Sequence, residues 1–409
     1  MHTKAIKRDI FDEIIKYINT DNIIVLHGAR QVGKSHIMFY LENYLKNQKL
    51  QTYFFDLEDA RLVDVLNGGM EEMLQFLQNE GFNLEEMKNN GEKMYVFIDE
   101  IQYLENPSPL MKLLVDHYKY IQLIVSGSSS FDIKSKFSDS LVGRTVEFEI
   151  YSLSFPEFLR FKNFNYVTKS RLDTYHLEKM KELYKEYVFF GGYPKIILEN
   201  SIEKKEKYLG QIIDTYIKKD IRDLTRIKDL KKFNNMLKVL ATQSGQLLNV
   251  SKLAATCSLA QQTVEKYLFI LENTYIIKLV TPYSSSAKVE ITKMPKVFFY
   301  DTGIVQMLWL RNFPRNFVGN IFETSIFAEL VKKYGKERVS YWRNRNQNEI
   351  DFILQINEKP LPIEVKMNFG NFRILSINYF LERYKIKEYK VVGLEGEAKN
   401  SSCVYPWEI

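Results

Sequence analysis

Residues 23–26 read Ile-Ile-Val-Leu, four apolar positions in a row that stop at His27 and Gly28. An unbroken β-branched run closed by glycine predicts a strand covered on both faces, as strands of a parallel sheet are. Further strand signals occur at 51–55, 95–98 and 121–125. Between them the apolar positions change period. Ile37, Met38, Leu41 and Leu45 fall on one helical face, a polar helical stretch follows the second run, and another helix is expected from Pro109. Strand and helix alternate as far as about residue 151, the rhythm of a mostly parallel sheet with helices on both faces. Residues 82–93 show the weakest pattern and read as a surface insertion.

Beyond Ser154 the pattern becomes helical to about residue 240, broken once at Gly191-Gly192-Tyr193-Pro194. That break separates a small helical lid from a basic connector bearing Lys218, Lys219, Arg222 and Arg226. Residues 249–268 then spell two short amphipathic helices around a tight turn, with Val264, Leu268 and Leu271 on the inner face of the second, which predicts a helix-turn-helix. The runs at 276–280 and 296–300 supply two strands of a wing. In DNA-binding versions of this motif the second helix presents polar residues to the major groove, here Gln261, Gln262, Glu265 and Lys266. The same motif serves protein partners, so DNA and protein both stand as candidates.

Composition narrows the class. A chain of 409 residues exceeds the size at which one core keeps growing, so two to four domains are expected. The formal charge of +6 permits a nucleic-acid partner without requiring one. Two cysteines, Cys257 and Cys403, make no disulfide framework, and no Cys/His cluster has zinc spacing. The first residues lack an apolar signal core and no run reaches the length of a membrane span, so a cytoplasmic protein without membrane attachment is expected.

The chemistry begins where the first strand ends. Gly28-Ala29-Arg30-Gln31-Val32-Gly33-Lys34-Ser35 fits G-x-x-x-x-G-K-S between a strand and a helix. In that setting the glycines let backbone N–H groups turn onto phosphates, Lys34 reaches the β/γ oxygens, and the Ser35 hydroxyl joins the shell of a magnesium ion. The helix N-terminus adds its partial positive charge. The run at 94–98 ends in Asp99 and Glu100. Asp99 suits the magnesium shell, and Glu100 suits orienting and deprotonating an attacking water. After 121–125 come Ser126, Gly127, Ser128, Ser129 and Ser130, which either bring hydroxyls toward the γ-phosphate or form an ordinary serine-rich turn.

A second constellation lies near the C-terminus. Glu323 sits on an amphipathic stretch, Asp351 in the run 349–354, and Glu364 and Lys366 in the run 363–366. Alternation along a strand sets Glu364 and Lys366 on one face, and a turn at 357–360 folds the chain back so that Asp351 meets them. Three carboxylates in that arrangement can hold a divalent metal, with the lysine activating water or steadying a phosphorane charge.

The segments GARQVGKS, FIDEIQYL, SGSSS, Gly143-Arg144 before YSLSFPEF, and GGYP resemble the AAA-type P-loop ATPases of bacteria and archaea. KKDIRDL, TVEKYLFILENTYIIKLV, KVFFYDTGI, GNIFETSIFAEL, NEIDFIL and PIEVK resemble the C-terminal region of uncharacterised function fused to them. The resemblance implies an α/β fold: a P-loop NTPase parallel sheet (1–153), a helical lid and connector (154–235), a winged helix (236–300) and an α/β restriction-endonuclease-like domain (301–409). It implies ATP and Mg2+ as cofactors, and Arg144 as a sensor of the γ-phosphate in cis or from a neighbouring copy in a homo-oligomer. The expected activity is ATP hydrolysis that drives or gates C-terminal DNA- or protein-binding modules. The alternatives are an ATP-regulated metal-dependent nuclease at Glu323, Asp351, Glu364 and Lys366, or a nucleotide-switched binding protein without effective turnover. At two positions the sequence departs from the family pattern: a sensor site often occupied by Asn holds Ser, and the nuclease-like strand lacks a proline before its acid.

Overall fold

The computed structural model describes residues 6–127, 141–164, 172–215, 229–284, 294–310, 319–344, 346–357, 359–398 and 400–409. Ser128 to Ser130, the connector cations Lys218, Lys219, Arg222 and Arg226, and Glu358 of the expected turn lie outside these residues. The chain divides into two compact units, Met1–Tyr151 and Ser152–Ile409.

In the first unit α1 (Phe11–Ile15) precedes β1 (Ile23–His27), α2 (Lys34–Asn47) and β2 (Gln51–Asp56). Then come α3 (Ala60–Asn67), α4 (Met70–Asn79), α5 (Leu84–Asn90), β3 (Met94–Asp99), α6 (Pro107–His117), β4 (Ile121–Gly127) and β5 (Thr145–Glu149). The five strands form one parallel sheet in the order β2-β3-β4-β1-β5. Every residue of β1, β3 and β4 is buried, which is why these segments read as apolar runs, broken in β4 by the buried Gln122. Because all strands point the same way, the end of β1, the end of β4 and the end of β3 meet along one edge of the sheet, where α/β folds bind ligands.

The stretch 82–93 is not an unstructured insertion. Asn83 caps α5 by accepting a bond from the Glu86 N–H, and Leu84 and Met87 bury into the core beneath β3. Three charged side chains, Glu85, Glu86 and Lys88, around two apolar anchors hid the helix from a reading based on periodicity.

The second unit opens with α7 (Phe155–Phe161), α8 (Thr174–Phe190), α9 (Pro194–Leu198), α10 (Ile202–Ile212) and α11 (Leu230–Thr242). The helix pair α12 (Val250–Cys257) and α13 (Gln261–Asn273) follows, with Ser258 in the left-handed conformation that ends α12. Strands β6 (Ile277–Val280) and β7 (Lys296–Phe299) pair antiparallel, Ile277 opposite Phe299. After α14 (Thr302–Leu310) and α15 (Gly319–Tyr334) come β8 (Val339–Arg343), β9 (Glu349–Ile356), β10 (Lys359–Asn368), α16 (Leu375–Tyr384), β11 (Lys390–Glu395) and β12 (Cys403–Val404). They build a mixed sheet in the order β12-β11-β10-β9-β8, in which β9 and β10 are an antiparallel hairpin and α16 crosses over to the parallel β11.

The residues expected to form a separate lid are tied into this second unit. Glu329 on α15 accepts from the Phe155 N–H at 2.9 Å and from the Tyr187 hydroxyl at 2.5 Å. Lys332 donates to the Leu153 carbonyl at 2.9 Å and to Tyr187 at 2.6 Å. The Gly191-Gly192 break closes on the start of α14: Asp301 accepts from the Gly192 N–H at 2.8 Å and from the Gly303 N–H at 3.0 Å. Gly191 has φ +77, and a Cβ on it would lie 2.1 Å from the Asp301 carboxylate.

Candidate functional site

The phosphate loop leaves β1 at Gly28 because no other residue fits there. A Cβ on Gly28 would stand 2.0 Å from the carbonyl oxygen of Ile150, a backbone atom that cannot swing aside. Ile150 in turn donates its N–H to the His27 carbonyl at 2.7 Å. The loop turns through Gln31 at φ 63 and Gly33 at φ 97, and Gly33 caps α2, so Lys34 and Ser35 form the first turn of that helix. Ala29 and Val32 point into the core, whereas Arg30 and Gln31 remain at the surface side of the loop.

Lys34 is buried, and its ammonium donates to the carbonyls of Gly28 at 3.1 Å and Ala29 at 3.0 Å. Burial lowers its pKa to about 8, against the pull of Glu100 and Asp99, which raise it. The acids that end β3 therefore share one electrostatic neighbourhood with the loop lysine. Asp99 is buried, accepts from the Glu100 N–H at 3.1 Å, and is held by the Ser126 hydroxyl. Ser126, wholly buried at the end of β4, also accepts from the Glu100 N–H at 3.3 Å. Of the serine run, this first member orients the acid rather than facing outward. Glu100 adopts the left-handed conformation at φ 58, which turns its side chain out of the strand line, and the Gln102 amide donates to its carboxylate. Sequence reasoning gave Ser126 and Gln102 no such supporting roles; each lies within a segment singled out for other reasons.

Arg144 does not join this edge. It immediately precedes β5, its carbonyl accepts from the Ile23 N–H at 2.9 Å, and Ile23 begins β1 while the phosphate loop follows its end. Four strand residues at ~3.3 Å each separate the two ends. Its guanidinium pairs with Asp116 through Nε at 2.8 Å and Nη2 at 3.2 Å. The expectation that Arg144 senses a γ-phosphate in cis is thereby corrected, because the guanidinium serves the opposite end of the sheet.

The C-terminal constellation assembles around ion pairs. Lys366 donates to Glu364 at 2.7 Å and stands 3.7 Å from Asp351, whose carboxylate accepts from the Val365 N–H at 2.8 Å. The hairpin β9–β10 thus brings the three residues together as alternation and the turn predict. Burial, followed by the charge of Asp351, raises the Glu323 pKa to about 8. Burial and Asp351 likewise raise Glu364 to about 7. A residue that sequence reasoning missed completes the cluster: Lys296 of β7 reaches Glu323 at 3.2 Å and Glu349 at 2.7 Å. Among the described residues no group of three Asp, Glu, His or Cys side chains is arranged as ligands of one metal ion, and the acids Glu323, Asp351 and Glu364 lie together through ion pairs with Lys296 and Lys366.

On the helix pair, Gln261, Gln262, Glu265 and Lys266 are all exposed on α13, and Val264, Leu268 and Leu271 are buried. Gln261 accepts from Ser251 at 3.1 Å and donates to Glu265 at 2.9 Å, so two of the four polar groups engage each other. Cys257 and Cys403 are both free thiols. Among the described residues no helix is long and apolar enough to cross a membrane.

Comparison with known proteins follows this division. Residues 20–159 match the model of the AAA domain family, residues 181–315 a domain of unknown function (DUF8612), and residues 318–405 a second domain of unknown function (DUF4143). An uncharacterized protein of Haemophilus influenzae is 28% identical over 367 residues, 88% of this chain and 86% of that one. Uncharacterized protein MJ1544 of Methanocaldococcus jannaschii is 26% identical over 368 residues, 88% of this chain and 77% of its own. Among solved structures, the Walker-type ATPase PABY2304 of Pyrococcus abyssi aligns with a TM-score of 0.48 and 13% identity, covering 74% of this chain and 95% of that one. AMPPCP-bound DnaA from Aquifex aeolicus aligns with a TM-score of 0.28 and 15% identity, covering 64% and 86%. The AAA domain match spans most of the first unit, whose parallel sheet and G-x-x-x-x-G-K-S loop have the α/β form of a P-loop nucleotide-binding fold.

Proposed function

We propose that this protein hydrolyses ATP with magnesium, and that the nucleotide cycle in the first unit drives or gates binding modules in Ser152–Ile409. The observation that carries the reading is the convergence of the loop lysine with two acids: Asp99 and Glu100 act electrostatically on Lys34 at one sheet edge. Lys34 would exchange the carbonyls of Gly28 and Ala29 for β/γ-phosphate oxygens. Ser35, in the first turn of α2, and Asp99, its carboxylate fixed by Ser126, would hold the magnesium ion, which supplies charge neutralisation for the transferred phosphoryl group. Glu100, steadied by Gln102, would take the proton of the attacking water.

The coupling to the rest of the chain begins inside the first unit. Arg8 is buried and donates to the Val32 carbonyl of the phosphate loop at 2.9 Å and to the Tyr151 carbonyl at 3.0 Å. Gly28 packs on Ile150. The loop that grips nucleotide is thus bonded to the last residues before Ser152. In the second unit we read α11 to β7 as a winged helix and the sheet from β8 to β12 as a restriction-endonuclease-like fold, both as binding modules for DNA or a protein partner. The exposed face of α13 carries one acid and one base, a balance that gives phosphate no net attraction.

Two variants test the reading. Lys34→Ala should abolish binding of a fluorescent ATP analogue with an unchanged circular dichroism spectrum. Glu100→Gln should bind ATP as the native protein does and hydrolyse it roughly 10²- to 10⁴-fold more slowly, the loss expected when a general base is removed. Native phosphate release from Glu100→Gln sinks the assignment of the base. No release by the native protein at any magnesium concentration favours a switch without turnover.

A further inference from the structure

On the restriction-endonuclease-like reading proposed above, the acids of the C-terminal sheet would hold a divalent metal, so the question is whether their oxygens are available to one. They face ammonium groups instead. Lys296, with a side chain only 4% exposed, bridges Glu323 at 3.2 Å and Glu349 at 2.7 Å. Lys366 bridges Glu364 at 2.7 Å and Asp351 at 3.7 Å. Arg343 adds a third cation, 3.6 Å from the second oxygen of Glu349. Four carboxylates therefore meet three fixed cations. Glu364 Oε2 is buried without a hydrogen-bond partner, while its other oxygen is held by Lys366.

Lys296 cannot swing away as a surface lysine does. Its backbone lies opposite Val280 in the β6–β7 pair and forms a bridge with Leu247 on the other side, so the strand that carries it is pinned at both edges. An ammonium and a divalent ion held by the same carboxylates would stand a few ångströms apart in a low-dielectric interior, where like charges repel strongly.

We infer that Lys296 is the resident cation of this cluster: the C-terminal sheet binds no divalent metal of its own, and the cluster clamps strand β7 against helix α15 and strand β9. This holds whether or not the first unit turns over ATP. Its physical role is to fix the two-stranded segment to the sheet by bridging Glu323 and Glu349, and a buried charge left without its partner is costly.

The test uses the full-length chain without nucleotide. Titration calorimetry with Mn2+ alone should give no saturable heat up to millimolar concentrations. Lys296→Met should lower Tm by roughly 5–15 °C, since it strands the buried Glu323 without its cation and leaves Glu349 to Arg343 alone. The double variant K296M/E323L should melt above K296M, because removing the stranded acid removes its burial penalty. Saturable Mn2+ binding by the native protein that disappears in Asp351→Asn overturns the inference. So does a Lys296→Met protein that melts with the native one. Should K296M fail to fold, the native titration and the double variant still decide the matter.

Discussion

At the scale of single residues, the most consequential number is the pKa of about 8 for Lys34. Burial disfavours its charged form, and the nearby Glu100 and Asp99 recover only part of that loss. Below pH 8 the lysine already carries the charge that attracts phosphate. Above pH 8 it must take up a proton as ATP binds, so affinity should fall by up to about tenfold for each further pH unit. Calorimetry at pH 9 in two buffers of different ionisation enthalpy should report proton uptake on binding, and at pH 7 close to none. Equal heats in both buffers at pH 9 mean that the lysine stays charged and the burial argument is wrong. The same shift has a signed effect on folding. Between pH 8 and 10.5 the unfolded chain holds more protons at this position than the folded one, so this group's contribution to stability grows as pH rises through that window. Lys34, Asp99 and Glu100 were legible in the sequence because each stands at a fixed offset from an apolar strand. Ser126 and Gln102, which steady the acids, were not, since a hydroxyl or amide near an acid in sequence gives no sign of where its hydrogen bond goes.

At the scale of elements, strands were easier to read than their locks. Fully buried parallel strands announce themselves as apolar runs, and β1, β3 and β4 fall within two residues of the runs that predict them. The junction between Gly191-Gly192 and Asp301 joins positions 109 residues apart, and nothing local in either segment names the other. Its chemistry makes both motifs intelligible. Asp301 caps α14 with one oxygen and receives the Gly192 N–H with the other, while Gly192 and Gly303 leave the room that a Cβ would take from the Leu153 and Phe190 carbonyls, 2.4 and 2.3 Å away. Removing the carboxylate strands buried N–H groups and a helix cap together. Asp301→Ala should therefore cost about 2–4 kcal/mol, the sum of a lost cap and an unsatisfied buried donor. Asp301→Asn retains an oxygen for the cap and should cost less. Urea denaturation followed by tryptophan fluorescence measures both, and two variants with indistinguishable midpoints near the native value would remove the lock from the account.

At the scale of the whole molecule, the proposed gating requires an event on the phosphate loop to reach residues beyond 151, and Arg8 is the element of the sequence that no motif pointed to. It precedes α1 in a segment without pattern, yet its guanidinium joins the Val32 carbonyl of the loop to the Tyr151 carbonyl at the end of the first unit. Beside it, Ile150 donates to His27 and presses its carbonyl against Gly28. A loop that rearranges around phosphate must therefore disturb the bonds that hold residues 150 and 151. Arg8→Gln shortens the bridge and removes its charge, at a loss of about 1.5–3 kcal/mol for hydrogen bonds made by a charged group. Amide hydrogen exchange at Ile150 and Tyr151 should then rise by roughly 10- to 100-fold in the nucleotide-free protein. In the native chain, adding a non-hydrolysable ATP analogue should change exchange at Ile150, Tyr151 and Ser152. In Arg8→Gln the analogue should still bind, because the loop retains Lys34 and Ser35, while the response at those three amides should shrink. Arg8→Lys keeps the charge but cannot span both carbonyls, so it should resemble Arg8→Gln in exchange and the native protein in affinity. If Arg8→Gln protects residues 150–152 on binding nucleotide as fully as the native chain does, the signal takes another route, and the connection between the loop and Tyr151 is a structural brace alone.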